Sequence, residues 1–457
     1  MFEVFYGLAL IGFLLAVLFQ ARGVYQVRWP ELLILAFIGC LSIYGQLLSL
    51  RREAAIHFGS FLFCYLFMSA APIVQLGADN DVVFHMESWS LLAALNALAF
   101  TLIGLFSIYR MKPPDERSLS ARGFSPASVN YVFLFVVTLM AALIAIVLFR
   151  NVLFTNRDEF AAAADEVFGD QTISLIARFL LLSTPFFGAL IGLRTSISNR
   201  KGIWIILFSF VMLLALIINN PLVHPRYQLA GLTFFAIDYI FYGRKTKFLA
   251  LFLIAGVLIA PVLQTFRHED GSTGEDLEES SLVGAPLLSM DYDAFRMSCY
   301  TMLTVERDGI SWGSNLLGAG LFFVPRAVWS SKPLPTAWVI YETADHSADL
   351  GTNNLSTPLM AEGYYAFGWI GALAIAFIYW WGISKVTLLS RRDPDSWMFL
   401  LRSLFAGLVL IFLRGTLTVG VSAVAGQFAA LAIPGFLIRH RFDSSNRYLP
   451  RSRVAQN

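Results

Sequence analysis

Charge is scarce in this chain: 14% of its 457 residues are Asp, Glu, Lys or Arg, against about 25% in an average soluble domain. That shortage excludes an ordinary water-soluble domain, and hydrophobic residues, 57% of the total, take up the difference. Cysteine is scarcer still. Cys40, Cys64 and Cys299 lie far apart, two of them inside apolar runs, so neither a disulfide framework nor a cysteine metal cluster is supported. His224, His268 and His346 have no partners at metal-ligand spacing, and most such histidines are solvated surface residues. There is no GxxxxGK[ST] stretch and no dinucleotide-binding GxGxxG context, which excludes ATP-driven work of the usual kind. No internal or inverted repeat is visible. The first apolar run, Phe2 to Gln20, is followed by another apolar run rather than a small-residue cleavage site, so it is expected to stay as a helix.

What the chain has instead is long apolar runs. At about 20 residues per spanning helix, roughly twelve spans begin near Phe2, Trp29, Ala54, Ser88, Asn130, Ile173, Gly202, Gln228, Lys247, Met360, Asp395 and Gly415. The expected fold is an all-α, polytopic integral membrane protein. Lys and Arg in short loops mark the cytoplasmic side. Arg51 and Arg52, then Arg110, Lys112, Arg117 and Arg122, then Arg194, Arg200 and Lys201, then Arg244, Lys245 and Lys247, then Lys385, Arg391 and Arg392 fall on one face, together with the basic tail. Both termini are thereby expected in the cytoplasm. Alternate loops are acidic and face outward; Arg22 and Arg28 break the pattern.

One outward loop is large. The chain divides into N-terminal helices (1–263), the loop (264–359), and C-terminal helices with the basic tail (360–457). The loop starts with the acidic, small-residue run His268 to Ser281, expected to form a mobile tip. DYDAFRMSCYTMLTVER follows, an amphipathic pattern with Tyr292, Phe295, Cys299, Met302 and Leu303 on one face and Asp293, Arg296, Thr304 and Arg307 on another. Such a helix is expected along the membrane surface. GSNLLGAGLFFVPR then reads as a glycine-broken apolar segment at the interface.

Outward cations run against the positive-inside pattern. Arg226, Arg267, Arg296, Arg326, Lys332 and Arg414 gather at the outer edge of spans, with Arg178 a turn or so deeper. Arg recognises phosphate through a planar fork and Lys as a point charge, so converging they would hold a lipid-linked phosphate or diphosphate. Singly, each has a plainer role, snorkelling to headgroups or pairing with an acid. Asp291 and Asp293 form a DxD, a spacing able to hold a divalent cation. On a helix, however, they face apart, and Asp293 makes an ordinary i,i+3 pair with Arg296, so no metal is expected. Glu362 opens a late apolar helix, where the dipole favours a carboxylate. It is also the only acid beside Tyr364 and Tyr365, whose rings, with Trp329, suit a sugar surface. Its proposed role is general base or acceptor-positioning group, with Asp293 or His346 next in line.

PRAVWSSKP followed by STPLMAEGYYAFGWIG resembles the bacterial oligosaccharide repeat-unit polymerases of the Wzy type, in which PR-x-x-W-x-x-KP precedes a T-P-x-x-x-E-x-Y-x-x-x-G turn into a late helix. The order of Arg226, the Asp293 to Arg296 helix and Arg414 fits as well. The resemblance covers the chain from about Asn219 and implies a GT-C-like glycosyltransferase in the bacterial inner membrane, its large loop periplasmic. It implies transfer of a growing glycan from an undecaprenyl diphosphate carrier to an incoming lipid-linked repeat unit of an O-antigen, capsule or exopolysaccharide. The implied partners are that lipid-linked oligosaccharide, membrane lipids and a chain-length regulator protein, with no cofactor and no nucleic acid. An O-antigen ligase, which passes the same donor glycan to lipid A-core, has a similar outline; an alternative of a different class, a polysaccharide transporter or flippase, would need broken helices in paired positions and charges near the bilayer midplane.

Overall fold

A computed structural model of the chain describes residues 2–21, 25–77, 87–113, 130–155, 157–168, 171–220, 224, 226–241, 248–249, 251–252, 285–288, 292–326, 328–343, 355–392 and 397–445. Among these residues the regular structure is helical, with no strand. The longer helices are α1 (Phe2–Gln20), α2 (Tyr25–Arg51), α3 (Ala55–Tyr65), α4 (Ala71–Gly77), α5 (Glu87–Arg110), α6 (Tyr131–Phe149), α7 (Arg157–Phe168), α8 (Gln171–Ser198), α9 (Gly202–Ile218) and α10 (Arg226–Phe241). A π turn, Leu66–Ala70, joins α3 to α4 into one span. The chain continues with α11 (Ala294–Asp308), α12 (Ser314–Gly320), α13 (Thr336–Thr343), α14 (Leu359–Arg392), α15 (Trp397–Arg414) and α16 (Leu417–Ser445).

Among the described residues nine helical stretches are long and apolar enough to cross a bilayer, so this is a multi-pass helical membrane protein. They coincide with nine of the expected spans. The Gly202 and Gln228 spans are shorter helices of 17 and 16 residues, and most of the Lys247 span lies outside the described residues, as do the acidic run His268 to Ser281 and the basic tail beyond Ser445. Packing groups the chain otherwise than the division at 263 and 359. One compact unit takes Met1–Asp115, Arg226–Leu389 and Phe405–Ser422; a second takes Glu116–Pro225, Ser390–Leu404 and Ala423–Asn457.

The second unit shows how an apolar run becomes a lipid-facing helix. Asn130 caps α6 by accepting a hydrogen bond from the Phe133 N–H at 3.2 Å. Leu134, Thr138, Ala142, Ala145 and Phe149 are buried at helical spacing, while Val132, Val136, Met140 and Val147 are exposed on the other side, as expected where lipid replaces water. Nineteen residues reach about 28 Å, close to the hydrocarbon thickness. Close approach to α8 depends on Gly188: a Cβ there would stand 1.8 Å from the Thr138 methyl.

In the first unit, Trp380 is fully buried among His57, Phe61, Phe100 and Tyr379, its indole N–H donating to the Phe100 carbonyl at 2.9 Å. Truncating it to Ala would cost about 3–5 kcal/mol. Ion pairs and hydrogen bonds fix which helix ends share a side. Arg51, ending α2, pairs with Glu3, opening α1, at 3.8 Å. Arg52 donates to the Ile108, Tyr109 and Met111 carbonyls at the end of α5. His57 and Ser107 both meet Ser384, near the end of α14. The basic ends of α2, α5 and α14 therefore lie together, and the start of α14 lies at the opposite end.

That start is not a straight helix. Phe367 (φ −145°, ψ 27°) and Gly368 (φ 62°, ψ −145°) leave helical geometry inside α14. Residues eight apart in a straight helix stand about 12 Å apart along the axis. Here a Cβ on Gly371 would lie 2.1 Å from the Gly363 carbonyl oxygen. The segment 359–366 is thus folded back on the span proper, which begins after Gly368. Only glycine adopts the Gly368 conformation readily.

α11 begins where the sequence predicts but not in the expected setting. Its residues 294 to 302 and Thr304 are all buried, polar and apolar faces alike, so it is a core helix rather than one lying along a membrane surface. It packs on α5 and α13.

Candidate active site

Two carboxylates anchor a polar cluster in the first unit. Asp293, 4% exposed at the head of α11, accepts from the Ser356 hydroxyl at 2.7 Å, the Ser356 N–H at 3.1 Å and an Arg414 guanidinium nitrogen at 3.2 Å. Arg414 ends α15, and its side chain is 24% exposed. The expected i,i+3 pairing of Asp293 with Arg296 is replaced by this longer-range one. Asp291, the other half of the DxD, lies outside the described residues.

Glu362 is 1% exposed. One oxygen accepts from the Asn315 amide at 2.8 Å and the Thr336 hydroxyl at 2.5 Å; the other accepts from the Leu417 N–H at 2.9 Å. These donors come from α12, α13 and the first turn of α16, so one carboxylate gathers four helices. The Leu417 contact also accounts for a helix-start amide that would otherwise lack a partner. The clusters adjoin: the Thr357 N–H donates to the Arg414 carbonyl at 3.1 Å. A charge this deep is tolerated only when it is well hydrogen-bonded, and here three neutral donors meet it. The oxygen that meets the Leu417 N–H accepts that one bond and keeps a lone pair, so this arrangement both positions groups and leaves Glu362 an acceptor site.

The cationic loop is organised differently. Arg326 is exposed and donates to the Lys332 and Pro333 carbonyls at 2.7 and 3.2 Å. Lys332, 7% exposed, donates to the Phe322 and Val324 carbonyls at 2.7 and 3.0 Å. The Trp329 N–H donates to the Pro325 carbonyl at 3.0 Å and its indole N–H to the Ser331 hydroxyl at 3.1 Å. The PR-x-x-W-x-x-KP spacing thus builds a self-bonded loop in which Lys332 is a brace. Arg326 has five N–H donors, and two of those contacts turn inward.

No protein-family model matches the chain, and no curated protein or solved structure matches it. The site's chemistry rests on its own geometry.

The remaining expected residues divide. Arg296 is buried, 8% exposed, in α11. Arg226 heads α10, with its side chain outside the described residues, and Arg267, His268 and His346 lie outside them too. Arg178 belongs to the second unit. So does His224, which is buried rather than solvated. It bonds the Ile218 carbonyl at 3.0 Å, and burial, with a smaller push from Arg178, lowers its pKa to about 4. Tyr364 and Tyr365 are half-buried; Tyr364 meets Trp369 edge-on at 5.6 Å. Sequence reasoning missed Ser356, Asn315 and Thr336. Ser356 stands directly before the T-P of the second motif, the one signal that pointed there.

Proposed function

We propose that this protein is an integral-membrane glycosyltransferase of the Wzy type, joining lipid-linked repeat units at the outer face of a bacterial inner membrane. In this reading the basic ends of α2, α5 and α14 are cytoplasmic, following the positive-inside rule, and the cluster around Asp293 and Glu362 faces the periplasm. The carrying observation is the Arg414–Asp293 pair at 3.2 Å, 24% and 2% exposed: an arginine held by a buried acid, presented at the end of a span. An acid on one side of a guanidinium fixes its plane, the orientation on which fork-like recognition of a diphosphate depends.

The reaction breaks the anomeric C–O bond to the carrier diphosphate and forms a glycosidic C–O bond to the acceptor hydroxyl, whose proton passes to Glu362 as general base and from there to water or to the released diphosphate. Negative charge grows on the departing diphosphate. Arg414 and exposed Arg326 stabilise it electrostatically, with Arg226 as a third grip, while Glu362 holds α12, α13 and α16 in register around them. Lys332 and Arg296 support the loop and the core helix. The donor bond supplies the driving force.

The test is surface glycan from a deletion strain. A polymerase mutant shows single repeat units where its parent shows a ladder. Bare core would identify a ligase, and repeats trapped facing the cytoplasm a flippase; either outcome overturns the proposal.

A further inference from the structure

Trp312 has φ 53°, one of only three non-glycine residues with positive φ among those described. For a bulky side chain that conformation is an outlier and persists only where neighbours enforce it. Both neighbours do. The Ser311 N–H donates to the Tyr365 carbonyl at 2.8 Å and the Gly313 N–H to the Ala366 carbonyl at 3.2 Å, so a turn from the loop caps the end of the short segment 359–366. Gly313 has φ 79°, and a Cβ there would stand 2.5 Å from the Phe367 ring. The Ser311 hydroxyl donates to Asn315 at 2.8 Å, and Asn315 in turn donates to Glu362.

The strained conformation does not bury the indole: Trp312 is 78% exposed. Its chain neighbours Glu306, Arg307, Asp308, Gly309 and Ser314 are exposed as well, a polar surround rather than a lipid-facing one. Exposed apolar side chains of the loop, among them Leu317, Phe323, Val328 and Trp338, come later. Phe367, at the turn, is 42% exposed, and Trp369 and Ile370, which follow it into the span, are 37% and 80% exposed.

We propose that Trp312, with Phe367 at the same turn, is a glycan-stacking platform that receives a pyranose ring of the acceptor repeat unit. This deepens the glycosyltransferase reading and rests on it. A rigid aromatic face offers a sugar's C–H surface a large contact at low entropy cost, and the hydrogen-bond chain through Asn315 ties its position to that of Glu362.

The test uses the full-length protein in lipid nanodiscs with 5-fluorotryptophan at its ten tryptophans, the Trp312 resonance being assigned by its loss in Trp312→Phe. The probe is the lipid-free repeat oligosaccharide released by mild acid from the lipid-linked pool of the deletion strain. The expected result is a saturable shift of the Trp312 fluorine signal, without broadening by headgroup spin-labelled lipid. Broadening by that lipid with no response to the oligosaccharide would make Trp312 a membrane anchor and overturn the proposal; no response to either would also overturn it. In a polymerisation assay, Trp312→Ala should raise the half-saturating acceptor concentration about fivefold with little change at saturation, and Trp312→Phe should restore most of the loss. Wild-type protein that makes no polymer would remove the polymerase reading alone, since the fluorine shift reports glycan binding independently.

Discussion

The two motif stretches look alike as sequence, each a short run of charged and aromatic residues beside an apolar span, yet they fold by opposite rules. Around Arg326 and Lys332, cations spend donors on carbonyls of their own loop, six to ten residues away. Around Glu362 and Asp293, carboxylates accept from donors 26 to 121 residues away. The first stretch is a local shape with an exposed guanidinium; the second is the point where distant helices are joined. Charge at the edge of a membrane span can therefore mean either self-sufficient loop structure or long-range assembly, and only the partners tell which.

The sharpest way to break that contrast is Glu362→Ala. It strands the Asn315, Thr336 and Leu417 donors in a buried site, and at about 1–3 kcal/mol per unsatisfied group the loss should be about 3–9 kcal/mol, seen as a large drop in thermal midpoint in detergent. An unchanged midpoint would deny Glu362 its joining role. Glu362→Gln should also lose stability, because its amide nitrogen must face a donor.

Arg414→Ala comes next. Losing a charge-assisted contact to an anion costs about 1.5–3 kcal/mol, about tenfold to a hundredfold in polymerisation rate. Arg414→Lys should recover little of it, since a point charge cannot replace the fork. Full activity in Arg414→Ala would show the Asp293 pair to be architecture alone.

Gly368→Ala should cost about 1–3 kcal/mol through its backbone conformation and should loosen the fold-back of 359–366, read as faster protease cleavage near the turn. The smallest effect is expected in the local loop: Lys332→Met should cost about 1 kcal/mol and leave the midpoint nearly unchanged. Arg326→Ala should spare stability and slow the reaction. Equal destabilisation by Lys332→Met and Glu362→Ala would erase the distinction between the two stretches.

Much of the helical architecture was legible in the sequence, because apolar length is a one-dimensional property: the runs beginning near Phe2, Trp29 and Asn130 needed no partner to be recognised. The setting of α11 was not legible. Its amphipathic pattern fits a membrane surface as well as a core, and what decides between them is that Asp293 meets Ser356 and Arg414, contacts 63 and 121 residues away. The setting of Lys332 was not legible for a related reason: the sequence does not show that its ammonium meets the Phe322 and Val324 carbonyls. Trp312 left no trace in pattern or spacing, since its distinction is a backbone angle.

The 121-residue separation of Asp293 from Arg414 also has a meaning in time. A ribosome adds about 5–20 residues per second, so a nascent chain holds Asp293 for the order of ten seconds before its arginine exists. Throughout that interval α11 has its apolar neighbours from α5 but not the cation that offsets its buried carboxylate. Closure of the cluster must therefore wait for the end of α15 to be synthesised and inserted. A chain stopped short of Arg414 would lack the cation that pairs with this buried carboxylate.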